Sequence, residues 1–285
     1  MIGAALTAIL VWASAFVAIR YVGRHFGPGP LALGRLVVGS LALGLVVAIR
    51  REPLPPRSAV PGIVLCGVLW FGVYNLALNA AERRVDAGIA ALLVNVGPIF
   101  IAIAAGLVLR VGFPRLLFAG CLVSFAGVAL IGLSGAKHET DAGWGAVLCL
   151  VAALAYAAGV IAEKPALEHA SALTVTWLAC TIGAVSCLAY AHSLVHQVST
   201  ASTAQTGWIV YLGIFPTAIG FLCWAYALSF TSAGRMGSTT YLVPPLALLL
   251  GWAILGETPP LAVVPGGILC LAGVALARRR GQRAT

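Results

Sequence analysis

The chain is expected to fold as an all-α polytopic membrane protein. Ten transmembrane helices would form two inverted five-helix repeats, with both termini cytoplasmic. Three observations predict this: a scarcity of charge, ten apolar runs of spanning length, and a register of matching Gly and Pro residues between the two halves. Of the 285 residues, 61% are apolar and only 9% are charged, whereas soluble globular chains carry about 25% charged residues. So few charges cannot coat a soluble surface of this size, and the high hydrophobicity excludes disorder. The net charge of +9 does not point to nucleic acid, because the basic residues sit in short clusters between apolar runs. Clusters so placed fix orientation in a bilayer. The expected partners are therefore the lipid bilayer and a small-molecule substrate, with no nucleic acid; the oligomeric state stays open.

Apolar runs bounded by Pro, Gly or charge place the helices at 2–20, 30–49, 61–80, 87–109, 115–134, 144–162, 172–191, 207–229, 236–255 and 261–277. Each is close to the roughly 20 residues that a bilayer core requires. The first run ends near Ala13-Ser14-Ala15, which resembles a signal-peptide cleavage site. It lacks a basic leader and many similar runs follow, so it reads as a retained helix. The longest connector, 192–206, is rich in Ser and Thr. With the N-terminus inside, Arg50, Arg51, Arg57, Arg110, Arg115, Lys164, Arg235, Arg278, Arg279, Arg280 and Arg283 face the cytoplasm. Only Arg20, Arg24, Arg83, Arg84 and Lys137 then face outward, which is the inside bias expected of a membrane protein. All seven cysteines lie in apolar runs without a CxxC pair and read as small buried hydrophobes.

At a shift of 146 residues, Gly67 falls on Gly213, Gly88 on Gly234, Pro98 on Pro244, Pro114 on Pro260, Gly120 on Gly266 and Gly127 on Gly273. These residue types carry backbone geometry, so the chain divides into repeats at 1–136 and 143–281. Five spans is an odd number, so the second copy must enter the membrane upside down. Inverted repeats mark secondary transporters that alternate access around a site between the halves. Gly120, Gly127, Gly266 and Gly273 are expected to let spans 5 and 10 pack closely as scaffold.

Trp12-Ala13-Ser14-Ala15-Phe16, Arg35-Leu36 and Ala81 through Gly88 leading to Pro98 resemble the EamA-like family of the drug/metabolite transporter superfamily. The second half is similar at Ala227 through Gly234, at Pro244, at Gly256-Glu257 and from Gly266 to Val274. The resemblance covers nearly the whole chain. It implies a ten-helix carrier in the inner membrane, often exporting amino acids, other metabolites or drugs. Gly256-Glu257 has no counterpart in the first half, where Arg110-Val111 stand, so any role of Glu257 would be asymmetric.

Polar groups inside hydrocarbon need a reason. Tyr74, Asn75 and Asn79 in span 3, Asn95 in span 4, and Thr240 and Tyr241 in span 9 are candidate substrate contacts. The amides serve equally well as interhelical glue. Trp12, with Ser14 nearby, and its repeat mate Tyr156 would supply an aromatic wall and a hydroxyl, or simply core packing. Pro98 and Pro244 are expected helix breaks that free the Val94 and Thr240 carbonyls. Arg20 and Arg35 either snorkel outward or form a positive outer mouth. Trp70, Trp208 and Tyr211 read as interface anchors, while Trp224 and Tyr226 stay open. The acids and all five histidines lie at or beside the ends of the spans, which predicts facilitated diffusion or coupling through an end-placed acid such as Glu257. Without clustered His and acids, no metal, cofactor or enzymatic role is expected. The favoured function is a secondary transporter exporting small polar metabolites such as amino acids. Multidrug efflux is the alternative, ahead of a non-transport scaffold. The Arg-rich basic set fits a bacterial inner membrane.

Overall fold

The computed structural model describes residues 1–23, 25–84, 90, 93–109, 115–134, 142–255 and 263–278, which contain helices and no strand. The helices are α1 (Ile2–Val22), α2 (Pro28–Arg50), α3 (Val60–Ala81), α4 (Gly97–Val108), α5 (Arg115–Ser134) and α6 (Ala142–Ala166). They continue with α7 (Ala172–Ser186), α8 (Ala191–Thr200), α9 (Thr203–Ser229), α10 (Ala233–Ile254) and α11 (Val263–Arg278). Among the described residues, six helices are long and apolar enough to cross a membrane; α7 and α8, bent by 53°, make a seventh if counted as one span. α4 and the apolar parts of α5 and α11 are shorter. Glu257 lies outside the described residues, as do most of 85–92, residues 110–114 and the tail beyond 278.

Local chemistry sets the helix ends. Pro28 occupies the first turn of α2 behind an extended Gly27, where a missing N–H has no helical partner to lose. The Ser171 hydroxyl caps α7 by accepting from the Thr174 N–H at 3.2 Å. It also donates to the Glu52 carboxylate at 2.8 Å, tying in the α2–α3 connection. Ser202 and Gln205 close a reciprocal capping box at the start of α9. The connector expected at 192–206 is thus mostly helix and carries His192 and His196. It is pinned because the Gly27 N–H donates to the Gln197 side chain at 2.9 Å and Leu194 packs at Gly34 of α2.

Helices α5 and α11 pack antiparallel. A Cβ on Gly120 would stand 2.5 Å from the Gly273 carbonyl oxygen, and one on Gly127 would stand 2.5 Å from that of Gly266. The 146-residue shift exchanges these two contacts with each other, as a twofold relation requires. Between them, the Ser124 hydroxyl donates to the Cys270 carbonyl at 3.1 Å, and the Cys270 thiol donates back to the Ser124 carbonyl at 3.6 Å.

Four departures from α geometry matter for the site. α3 forms a π turn over Gly67–Val73 and α9 forms one over Gly213–Gly220; their first residues are superposed by the same shift. Ahead of α4 the chain turns at Asn95 and Val96, and α10 contains a 3₁₀ turn at Thr239–Leu242. Pro98 and Pro244 each stand directly after an interruption, in the position from which a proline withholds an N–H and displaces the carbonyl four residues earlier, that of Val94 or Thr240. Each stands as the second residue of the α-helical stretch that resumes after the break.

A side chain at Gly127 has backbone, not a flexible side chain, to displace. Gly127→Val is expected to cost at least the roughly 1–3 kcal/mol typical of overpacking. Gly207→Ala, which meets nothing within 4 Å, should be close to neutral. Thermal unfolding of both variants in detergent checks the pair.

Candidate functional site

A cavity of about 80 Å³ opens between the halves of the chain. Trp12, Ala15, Phe16 and Ile19 of α1 line it, with Arg35 of α2 and Trp70, Tyr74 and Leu78 of α3. Val94 and Asn95, Tyr156 of α6, Phe221 of α9, and Thr240 and Val243 of α10 complete it. Its walls are largely aromatic. Trp12 meets Trp224 at 5.1 Å, Phe221 at 5.3 Å and Trp70 at 6.1 Å between ring centroids. Trp70 in turn meets Phe221 at 4.9 Å and Tyr156 at 5.2 Å. Such offset and edge contacts are the favoured aromatic geometries. Glycines make the approach possible: a Cβ on Gly159 would stand 2.5 Å from that of Trp70, and one on Gly220 would stand 2.8 Å from the Trp12 indole nitrogen.

Against this apolar wall stands a single cation among the described lining residues. Arg35 is 4% exposed, and its Nε donates to the Thr217 hydroxyl at 3.0 Å. No carboxylate lines the cavity among the described residues. Glu82, one residue beyond α3, lies near enough to Arg35 and Arg20 to feel both charges. Burial nevertheless pushes its carboxyl up to about 8. At neutral pH Glu82 is thus mostly uncharged, and Arg35 keeps its positive charge free of a formal counter-charge from that side.

The structure brings together only part of the expected set. Trp12, Tyr74, Asn95, Tyr156, Thr240 and Arg35 line the cavity. Ser14 faces α9 and shares a 2.7 Å hydrogen bond with the Tyr211 hydroxyl. The Asn75 amide donates to the Phe71 carbonyl at 2.8 Å, satisfying the π turn of α3. Asn79 donates to the Pro28 carbonyl at 3.2 Å and ties α3 to α2. Tyr241 is fully buried in a separate cluster with Leu117, Cys121 and Cys270. These four are not among the lining residues of the cavity. Arg20 is exposed at the end of α1 whereas Arg35 is buried, and both lie near enough to Glu82 to act on it. Lys164 donates to the carbonyls of Leu228 and Ser229 at the end of α9 and does not pair with the neighbouring Glu163.

Trp70 is not an interface anchor. It is 2% exposed and sits in the aromatic wall, as its place in the middle of a spanning run should have indicated. Trp208 meets Tyr21 at a tilt and Tyr211 edge-on. Phe221 and Thr217 escaped the sequence reading, which leaves Trp224 open. For Thr217 the available signal was a hydroxyl directly after a mid-span proline.

Comparison with known proteins gives the same architecture a family. The EamA-like transporter family model matches residues 1–133 and again 143–279. The chain belongs to this family. A probable terminal-alkyne amino-acid exporter of Streptantibioticus cattleyicolor is 37% identical over 274 residues, covering 95% of this chain and 91% of its own. An inner membrane transporter of Escherichia coli is 25% identical, covering 90% of this chain and 84% of its own. A probable amino-acid metabolite efflux pump of Salmonella typhimurium is also 25% identical, covering 95% and 92%. A solved crystal structure superposes with a TM-score of 0.76 over 96% of this chain and 95% of its own, at 18% identity, and so shares the fold. This protein is a multi-pass inner-membrane transporter.

The two asparagines at the ends of this argument separate by experiment. Asn75→Ala leaves a buried π-turn carbonyl without its donor, which costs about 1–3 kcal/mol, and should lower the melting temperature without raising the transport KM. Asn95→Ala should do the reverse. Unfolding and transport measured on both variants check this.

Proposed function

We propose that this protein is a secondary carrier exporting small carboxylate-bearing metabolites, amino acids foremost, by alternating access of the aromatic cavity. The observation that carries the reading is Arg35, a buried guanidinium in a largely aromatic cavity with no carboxylate among its described lining residues. A guanidinium matches a carboxylate in shape and charge, while the aromatic wall suits an apolar side chain. The same cation disfavours lipophilic cationic drugs. One arginine alone is also a thin anchor for phosphorylated compounds. The small volume points the same way, since pockets for drug-sized ligands run to roughly 300–1,000 Å³.

Two further observations support the carrier mechanism. The exchanged contacts of α5 and α11 are those expected of two inverted five-helix units, 1–136 and 143–281. Relatives named as exporters of amino acids or their metabolites extend over nearly the whole chain. In this reading both termini are cytoplasmic, and the halves rock about a site held between them. Asn95 and Thr240, at the breaks in the two halves, provide the neutral polar contacts.

The test uses proteoliposomes loaded with pooled amino acids, nucleosides and vitamins, with release read by mass spectrometry. Amino acids should leave and nucleosides should stay. Arg35→Gln should slow the release tenfold or more, since a hydrogen bond to a charged group is worth roughly 1.5–3 kcal/mol. Unchanged release by Arg35→Gln would refute the carboxylate reading. Raising the pH through about 8 ionises Glu82, which then competes for Arg35. The apparent KM should therefore rise above that pH in the wild type, and Glu82→Gln should flatten the dependence.

A further inference from the structure

The α9 π turn is joined to the cavity by an unbroken series of hydrogen bonds. Pro216 inside the turn has no N–H, and its ring displaces the carbonyl four residues earlier, that of Leu212. The Thr217 hydroxyl donates to the Leu212 carbonyl at 2.8 Å and accepts from Arg35 Nε at 3.0 Å. The Trp12 indole donates to the Pro216 carbonyl at 3.1 Å. Helix α2 lies directly on the turn: a Cβ on Gly39 would stand 2.8 Å from the Thr217 methyl, and one on Gly213 would stand 2.9 Å from the Arg35 carbonyl oxygen. Thr217 is fully buried, with its hydroxyl used as both donor and acceptor. The π turn of α3 is held differently. Its Phe71 carbonyl is satisfied by Asn75, a neutral amide outside the cavity lining.

We propose that Thr217 is the positioning residue through which a carboxylate on Arg35 sets the geometry of the α9 π turn. The inference rests on the reading of Arg35 as carboxylate anchor. With Nε held by Thr217, the guanidinium presents its two terminal nitrogens end-on to a ligand. A carboxylate there draws the guanidinium into the cavity, and the pull passes through the Thr217 hydroxyl to Leu212. A π turn contains one residue more than an α-helical turn needs. Closing it to α geometry would rotate the rest of α9 by roughly 100° and move it about 1.5 Å. Phe221 and Trp224, directly after the turn, would leave the aromatic wall around Trp12. Loaded and empty carriers then differ in α9, as any ligand-driven shift between states requires.

The experiment compares Thr217→Val, Thr217→Ser and Thr217→Cys with wild type and Arg35→Gln. Each full-length chain is reconstituted in proteoliposomes, with a ¹³C-labelled mixture of the twenty amino acids as probe. Thr217→Val should lower maximal efflux tenfold or more while KM changes less than threefold. It should also abolish the ligand-induced change in tryptophan fluorescence that the wild type shows, and Thr217→Ser should restore both. Thr217→Val efflux within twofold of wild type, a loss confined to KM, or no recovery in Thr217→Ser would overturn the proposal. If Thr217→Val does not fold, Thr217→Cys decides: its weakly bonding thiol should give intermediate efflux, and wild-type efflux would overturn the proposal. Should Arg35→Gln export the mixture like wild type, or wild type export none of it, the anchor reading falls and this inference with it. Loss in Arg35→Gln alone, with Thr217→Val unaffected, removes only the role of Thr217.

Discussion

A hydrocarbon interior offers a main-chain N–H or C=O no partner except the protein itself. The arrangement around the cavity follows from that constraint. Helices α3 and α9 abandon α geometry over Gly67–Val73 and Gly213–Gly220. Side chains answer the carbonyls this displaces: Asn75 for Phe71, Thr217 for Leu212 and Trp12 for Pro216. Asn79 answers the carbonyl of Pro28, and Lys164 those at the end of α9. Ser14, Asn75 and Asn79, which look like substrate ligands in sequence, are thus engaged in hydrogen bonds within the protein.

The same turns explain why the cavity sits where it does. A π or 3₁₀ turn spreads or tightens a helix locally, and the neighbouring glycines let large rings fill the space. Trp12 from α1, Trp70 from the π turn of α3, and Phe221 and Trp224 just after the π turn of α9 meet in one aromatic cluster. The breaks before Pro98 and Pro244 bring Asn95 and Thr240 to the same space. Helices α5 and α11 form a closely packed pair through glycine contacts and the Ser124–Cys270 exchange.

Electrostatically the cavity is governed by Arg35. A buried charge without a full counter-ion is unfavourable, and the neutral Thr217 hydroxyl compensates only part of that. Glu82 does not neutralise it at neutral pH, because burial keeps that carboxyl largely protonated. The remaining imbalance is what a ligand carboxylate would relieve.

Membrane class, the positions of most helices and the 146-residue register were legible in the sequence, because hydropathy and the placement of Gly and Pro are properties of the linear chain. The glycines pairing α5 with α11 belong to that legible part, since repeat equivalence singled them out before any contact was seen. Which face a polar side chain occupies was not legible: Ser14, Asn75 and Asn79 bond to other parts of the chain and Tyr241 is buried in a separate apolar cluster, while Trp70 turns inward. The helical form of 191–200 depended on Gln197 and Leu194 finding α2. The π turns were beyond reach for the same reason. Carbonyls of these turns are bonded by Asn75 and Thr217 of the same helices and by Trp12 of α1, and Thr217 is itself held by Arg35 of α2. Trp12, Arg35 and Thr217 become one connected unit only after α1, α2 and α9 have packed.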